Sequence, residues 1–153
     1  MHAIRPAVSA DREAVEAVVQ TAYSVYIDRI AREPGPMMDD YEALIQQGHV
    51  YVLDDEGGIA GLVVLIPETG TMLLDNVAVS PNAQGKGYGR RLIAFAEEEA
   101  RRQGFGTIRL YTNIAMTENL TFYEGLGYVE THSGEENGYS RIYMEKRLAK
   151  CTR

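Results

Sequence analysis

Tryptophan is absent, cysteine occurs once, and no apolar run approaches the length needed to cross a bilayer. The single cysteine, Cys151, is the third residue from the end. It cannot close an internal disulfide and has no companion for a thiolate metal site. His2, His49 and His132 are scattered without metal-ligand spacing, so no metal is expected. The longest apolar stretch, residues 59–66, is well short of the roughly 20 residues of a membrane span. The opening "MHAIRPAVSADREAV" meets charge within five residues and lacks the apolar core of a secretory signal, so a cytoplasmic protein with no membrane partner is expected. Basic residues are the minority, 15 Lys and Arg against 22 Asp and Glu, for a net charge of −7. Binding to a nucleic-acid backbone depends on clustered basic side chains, so that class is disfavoured and cationic small molecules are the better-matched partners.

The 153 residues are the usual size of one domain, expected to span 1–153. "HAIRPA" reads as a short first strand. Ser9 is placed to cap a long helix whose apolar positions Val15, Val18, Val19, Ala22, Tyr23, Tyr26, Ile27 and Ile30 recur at helical spacing. "EPGPM" breaks that helix, and a shorter one follows with Met38, Tyr41, Leu44 and Ile45 as its apolar set, ending at Gly48. "HVYVLD" and "IAGLVVLI" form a hairpin around "DEGG", and "TMLLDNVAVSP" is a further strand ended by Pro81. Residues 90–103 read as a helix, "TIRLYT" as a strand and "MTENLTFYEGLG" as a short helix. "YVETHS" and "GYSRIYMEKRL" close the chain as two strands around "GEENG". The order β-α-α-β-β-β-α-β-α-β-β indicates an α/β fold on a mixed sheet.

Between the third of these main strands and its helix lies "PNAQGKGYGRRL", with Gly85, Gly87 and Gly89. Glycines let the backbone approach a ligand, successive N–H groups point into the turn, and the helix N-terminus adds partial positive charge, so the loop is suited to phosphate. It is not a P-loop, because Lys86 is followed by Gly87 and not by Ser or Thr. It is not a dinucleotide fingerprint either, because Gly-x-Gly-x-x-Gly fails at Arg90 and at Leu92. What remains is Gln84-Gly85-Lys86-Gly87-Tyr88-Gly89, and some thirty residues on, "ENLTFYEGLGY".

These two motifs, in this order and separated by a helix and a strand, resemble those of the GNAT superfamily of N-acetyltransferases. The resemblance extends over the order of elements along the whole chain. It implies a mostly antiparallel sheet of about seven strands with about four helices, and acetyl-CoA as the acetyl donor. It implies a cofactor set of Val77, Ala78, Val79, Gln84, Gly85, Lys86, Gly87, Tyr88, Gly89, Arg90, Asn119 and Tyr123. The strand "DNVAVSP" would carry a bulge, with the N–H of Val79 as oxyanion donor. The commonest family pattern has Asn and Ala where this chain has Met116 and Asn119, and Asn119 is the candidate contact to the cofactor arm. Family members often pair, so a homodimer is an expectation of the same kind.

Acetyl transfer to an amine needs a base, because an alkyl amine of pKa about 10.4 is about three units from neutral at pH 7. It also needs a proton for the departing thiolate. Tyr123 is the general-acid candidate, and Asp75 the candidate to receive the amine's proton in a direct attack. Strand alternation puts Asp75 on the face of Val77 and Val79 provided that no bulge intervenes. Tyr23 and Tyr26 could offer rings to a cation or pack in the core, and Arg32 and Glu33 could clamp an acceptor's carboxylate and amine. The reading is an N-acetyltransferase acting on a small-molecule primary amine. A protein N-terminus or lysine, or an acyl-CoA sensor with little turnover, are the alternatives.

Overall fold

The computed structural model describes residues 3–24, 35–136 and 138–149. Tyr26, Arg32 and Glu33 lie outside the described residues, as does the expected end of the first helix. Seven strands form one sheet: β1 (Ile4–Pro6), β2 (Val50–Asp55), β3 (Gly58–Glu68), β4 (Thr71–Val79), β5 (Thr107–Asn113), β6 (Val129–Glu136) and β7 (Tyr139–Arg147). Four α-helices are present among the described residues: α1 (Arg12–Tyr23), α2 (Tyr41–Gln46), α3 (Tyr88–Arg102) and α4 (Thr117–Gly125). The spatial order is β1-β2-β3-β4-β5-β7-β6, with every pair antiparallel except the parallel pair β4–β5. No helix among the described residues is long and apolar enough to cross a membrane.

The strands at the centre are covered on both faces, which is why β3 carries a nearly continuous apolar run. On one face α1 and α2 bury Val15, Val18, Val19 and Ile45 against Val50, Val52, Leu62 and Val64. On the other, Leu92, Ile93, Ala96 and Ala100 of α3 pack on Leu53, Val63, Met72, Leu74, Ile108 and Leu110. Each large aliphatic side chain so buried contributes about 1.5–3 kcal/mol. The approach of α3 is close. A Cβ on Gly61 would stand 3.0 Å from both the Ala78 carbonyl oxygen and Leu92 Cδ1. Glu97, buried on α3, accepts from the Tyr128 hydroxyl (3.0 Å) and from Lys146 Nζ (3.1 Å), which ties the helix to the β7 side of the sheet.

Three details differ from the sequence reading. Ser9 does not cap α1; it opens a 3-10 turn, Ser9–Asp11, and the Asp11 carboxylate instead accepts from the Val8 N–H at 2.8 Å and pairs with Arg5. The α3 helix begins two residues before Arg90, at Tyr88, because Gly87 supplies the left-handed backbone (φ 80°) that turns the chain into it. The β6 strand runs on through Glu136, which shortens the turn into β7.

Candidate functional site

The feature that organises the site is a break in the sheet. Strands β4 and β5 are paired only from Met72↔Ile108 to Leu74↔Leu110, although they continue to Val79 and Asn113. Pairing stops where β4 is irregular. Val64 opposes Asn76 while Leu65 opposes Leu74, so Asp75 is an extra residue in β4, a β-bulge.

The bulge corrects the expected orientation of Asp75. Val77 and Val79 pack with the α3-side core, whereas Ala78 belongs to the α1-side core. Asn76 bonds to Tyr23 and Tyr41 of the α1 side, and Asp75 accepts from the Tyr111 hydroxyl at 3.0 Å. Tyr111 alternates with Leu110 of the α3-side core and so stands on the α1 face. Asp75 is therefore turned away from Val77 and Val79, because the extra residue reverses the alternation.

Beyond the bulge the open edge of β4 faces the gap. The Ser80 N–H bonds to the Ala60 carbonyl at 2.8 Å, so alternation directs the N–H and carbonyl groups of Val77 and Val79 away from β3. Side chains take up those carbonyls: the Tyr23 hydroxyl donates to Val77 at 3.1 Å and Gln84 Nε2 to Val79 at 3.5 Å.

A cavity occupies this gap. Residues 74–77 of β4 and 111–113 of β5 form its walls. Tyr123, Asn119 and Met116 close the α4 side, and Tyr23 and Asp39 border it on the α1 side. Tyr123 is buried, with edge contacts to Phe122 and Tyr128 at ring separations of 5.5 and 5.8 Å. Asn119 reaches Thr112 Oγ1 at 3.5 Å, a distance that suits a helix-to-strand brace. The cavity thus brings Tyr123 and Asp75 to one space from opposite faces of the sheet.

The glycine loop sits at the N-terminus of α3. Gly85 and Gly87 both have positive φ, 86° and 80°, and a Cβ at either would meet no atom within 4 Å. Space and backbone N–H groups are both available for an anion there. A Cβ at Gly89 would lie 3.5 Å from Phe122, so the loop's helix rests against α4 and the two sequence motifs are neighbours in space. Lys86 is 4.0 Å from Asp55, and Arg90 is exposed on the first turn. Tyr88 is buried in the core, and its hydroxyl donates to Asp55 at 3.3 Å.

Among the described residues, the charged groups that line the cavity are Asp39, Asp75 and Arg141. Loss of hydration raises the Asp75 carboxyl above its usual range, and the Tyr111 hydrogen bond and the charge of Arg141 oppose that rise. Asp39 has its carboxyl pushed up to about 6, first by lost hydration and then by the charge of Asp75. Burial also raises Tyr111, so its phenol stays protonated as the donor to Asp75. The Arg141 guanidinium carbon lies over the Tyr111 ring, 4.2 Å from its centre. No motif in the sequence marks Asp39, Asn76, Tyr111, Tyr139 or Arg141. A signal was present in β5 and β7, where apolar residues alternate with Arg109, Tyr111, Arg141 and Tyr143 on one face.

Residues 46–130 match the family model described as an acetyltransferase (GNAT) domain. The chain is 31% identical over 116 residues to YjgM of Escherichia coli, an uncharacterised N-acetyltransferase, covering 72% of this chain and 70% of that protein. It is 29% identical to YvbK of Bacillus subtilis, likewise an uncharacterised N-acetyltransferase, over 61% of each protein. The PaiA N-acetyltransferase of Thermoplasma acidophilum, solved in complex with coenzyme A, superposes with a TM-score of 0.81 at 16% identity, covering 97% of this chain and 99% of that one.

Proposed function

This chain belongs to the GNAT family of acetyl-CoA-dependent N-acetyltransferases, and on that premise we propose that it acetylates the primary amine of a small molecule by direct attack, in the gap between β4 and β5. The observation that carries the proposal is the cavity in which Tyr123 and Asp75 meet from opposite faces of the sheet.

The residues fit the donor. Gly85 and Gly87 leave open, N–H-lined space for a pyrophosphate at the start of α3, and the open edge of β4 offers polar groups to an extended amide arm. When bound, acetyl-CoA supplies an activated acetyl group as a thioester. The chain does the rest. Asp75 takes the proton of the incoming ammonium, directly or through one water, and lost hydration suits it to this by making it more basic than an ordinary carboxylate. The N–H groups of Val79 and Val77 stabilise negative charge developing on the acetyl oxygen. Tyr123 gives a proton to the departing sulfur, whose thiol is more acidic than the phenol by about 1.5 units in ordinary peptides, a gap that narrows when the thiolate is kept from water and its proton affinity rises. Asn119 braces α4 against Thr112 and so steadies the wall that carries Tyr123. Tyr23, through Asn76 and Val77, fixes the α1-side wall where the acceptor enters.

The test is release of free thiol from acetyl-CoA with a panel of small primary amines, with mass detection of the N-acetyl product. Amine-dependent release with a matching product supports the reading. A rise in melting temperature with acetyl-CoA but no thiol from any amine would leave a binding module in its place.

A further inference from the structure

The cavity holds a charge arrangement that a plain alkylamine does not need. On the reading just given, Asp75 meets the amine. Its Oδ1 accepts from the Tyr111 hydroxyl at 3.0 Å, and a carboxylate has further lone pairs to offer an ammonium. The same tyrosine holds a positive group. The Arg141 guanidinium sits over the Tyr111 ring at 4.2 Å, and the Tyr139 ring is 5.7 Å from it.

A guanidinium over an aromatic face is held there by its attraction to the ring. Its five donors can serve more than one acceptor, and they match the flat fork of a carboxylate. Arg141 lines the cavity with Asp75 and Asp39, so cation and anion are held about a single tyrosine. Register fixes the arrangement: Arg141 opposes Asn113 and Tyr143 opposes Tyr111, which puts Arg141 and Tyr111 two residues apart on one face of the sheet.

We propose that the acceptor is an amino acid or a close analogue, its amino group directed to Asp75 and its carboxylate, one or two carbons away, to Arg141. This inference rests on the acetyltransferase reading of the cavity. It makes Arg141 a specificity-determining residue, and it makes Tyr111 the positioning residue that sets the two charges.

The experiment compares matched acceptors: a set of α- and β-amino acids, their methyl esters, the alkylamines lacking the carboxylate, a diamine, and a short peptide with a free N-terminus. Thiol release gives kcat/KM for each. In parallel, melting temperatures with CoA and each acceptor report binding without turnover. The expected result is a preference for at least one amino acid over its ester and alkylamine of roughly tenfold or more, the scale of a charge-assisted bidentate contact. That preference should reside in KM and be mirrored in the CoA-dependent melting shift. In Arg141→Gln the ratio should fall toward unity, and Arg141→Lys should recover it in part, since it keeps the charge and loses the fork. Equal or better use of the alkylamine, the diamine or the peptide overturns the inference while leaving the acetyltransferase reading in place. Absence of turnover with every amine, despite a melting shift with acetyl-CoA, overturns both. The wild-type panel decides the matter even if the Arg141 variants fail to fold.

Discussion

Tyr123 is enclosed by Phe122 and Tyr128 and lines the cavity, so replacing it by Phe keeps the packed ring and removes only the hydroxyl. We expect Tyr123→Phe to lower kcat on the order of 10²-fold, within the usual range for a positioned acid, while the KM for acetyl-CoA changes little. Steady-state kinetics at saturating amine would check this, and undiminished kcat would remove the acid role. Asp75 makes a prediction in pH. A base must be ionised, so kcat/KM should rise with pH through the Asp75 pKa, which lies above the ordinary carboxylate value because burial disfavours the charge. Asp75→Asn should depress kcat/KM and abolish that acid limb. Tyr111→Phe removes the hydrogen bond that holds the Asp75 pKa down, so the limb should move to higher pH. A limb unchanged in Tyr111→Phe would show that another group controls the rate.

The elements that hold these residues differ in how openly the sequence announces them. The β4–loop–α3 unit was legible because two of its glycines are required by the backbone itself. Gly85 and Gly87 adopt positive φ, which few other residues tolerate. Order and type of the other elements followed from periodicity, as with Val15, Val18 and Val19 on α1 and Leu92, Ile93, Ala96 and Ala100 on α3. The position of the bulge was not legible, since a single extra residue at Asp75 leaves no mark in an alternating pattern that also reads smoothly without it. The far wall of the cavity escaped for another reason. Tyr111 and Arg141 are distant in sequence, and only the pairing of β5 with β7 brings them together. For the loop itself we expect Gly87→Ala to cost about 1–2 kcal/mol in stability from the left-handed backbone, and to weaken acetyl-CoA binding as well. Chemical denaturation together with calorimetric titration of acetyl-CoA separates the two effects. A stable variant with unchanged affinity would mean that the loop's shape does not matter to the ligand.

Across the whole molecule, the sheet separates two approaches to one gap. α4, with the glycine loop's helix resting against it, borders the gap from one face, and α1 with the Asp39 segment from the other, an arrangement that suits the proposed joint binding of donor and acceptor. The net charge of −7 and the carboxylates of the acceptor side suit a cationic group arriving there. Among the described residues, none that lines the cavity is a cysteine that could carry an acetyl group in transit. Transfer should therefore pass directly from donor to amine in a ternary complex. The decisive measurement is the initial rate of thiol release over a grid of acetyl-CoA and acceptor concentrations. Double-reciprocal lines that intersect are the predicted result, and parallel lines, which signal an acetylated enzyme between two separate steps, would contradict direct attack across the gap.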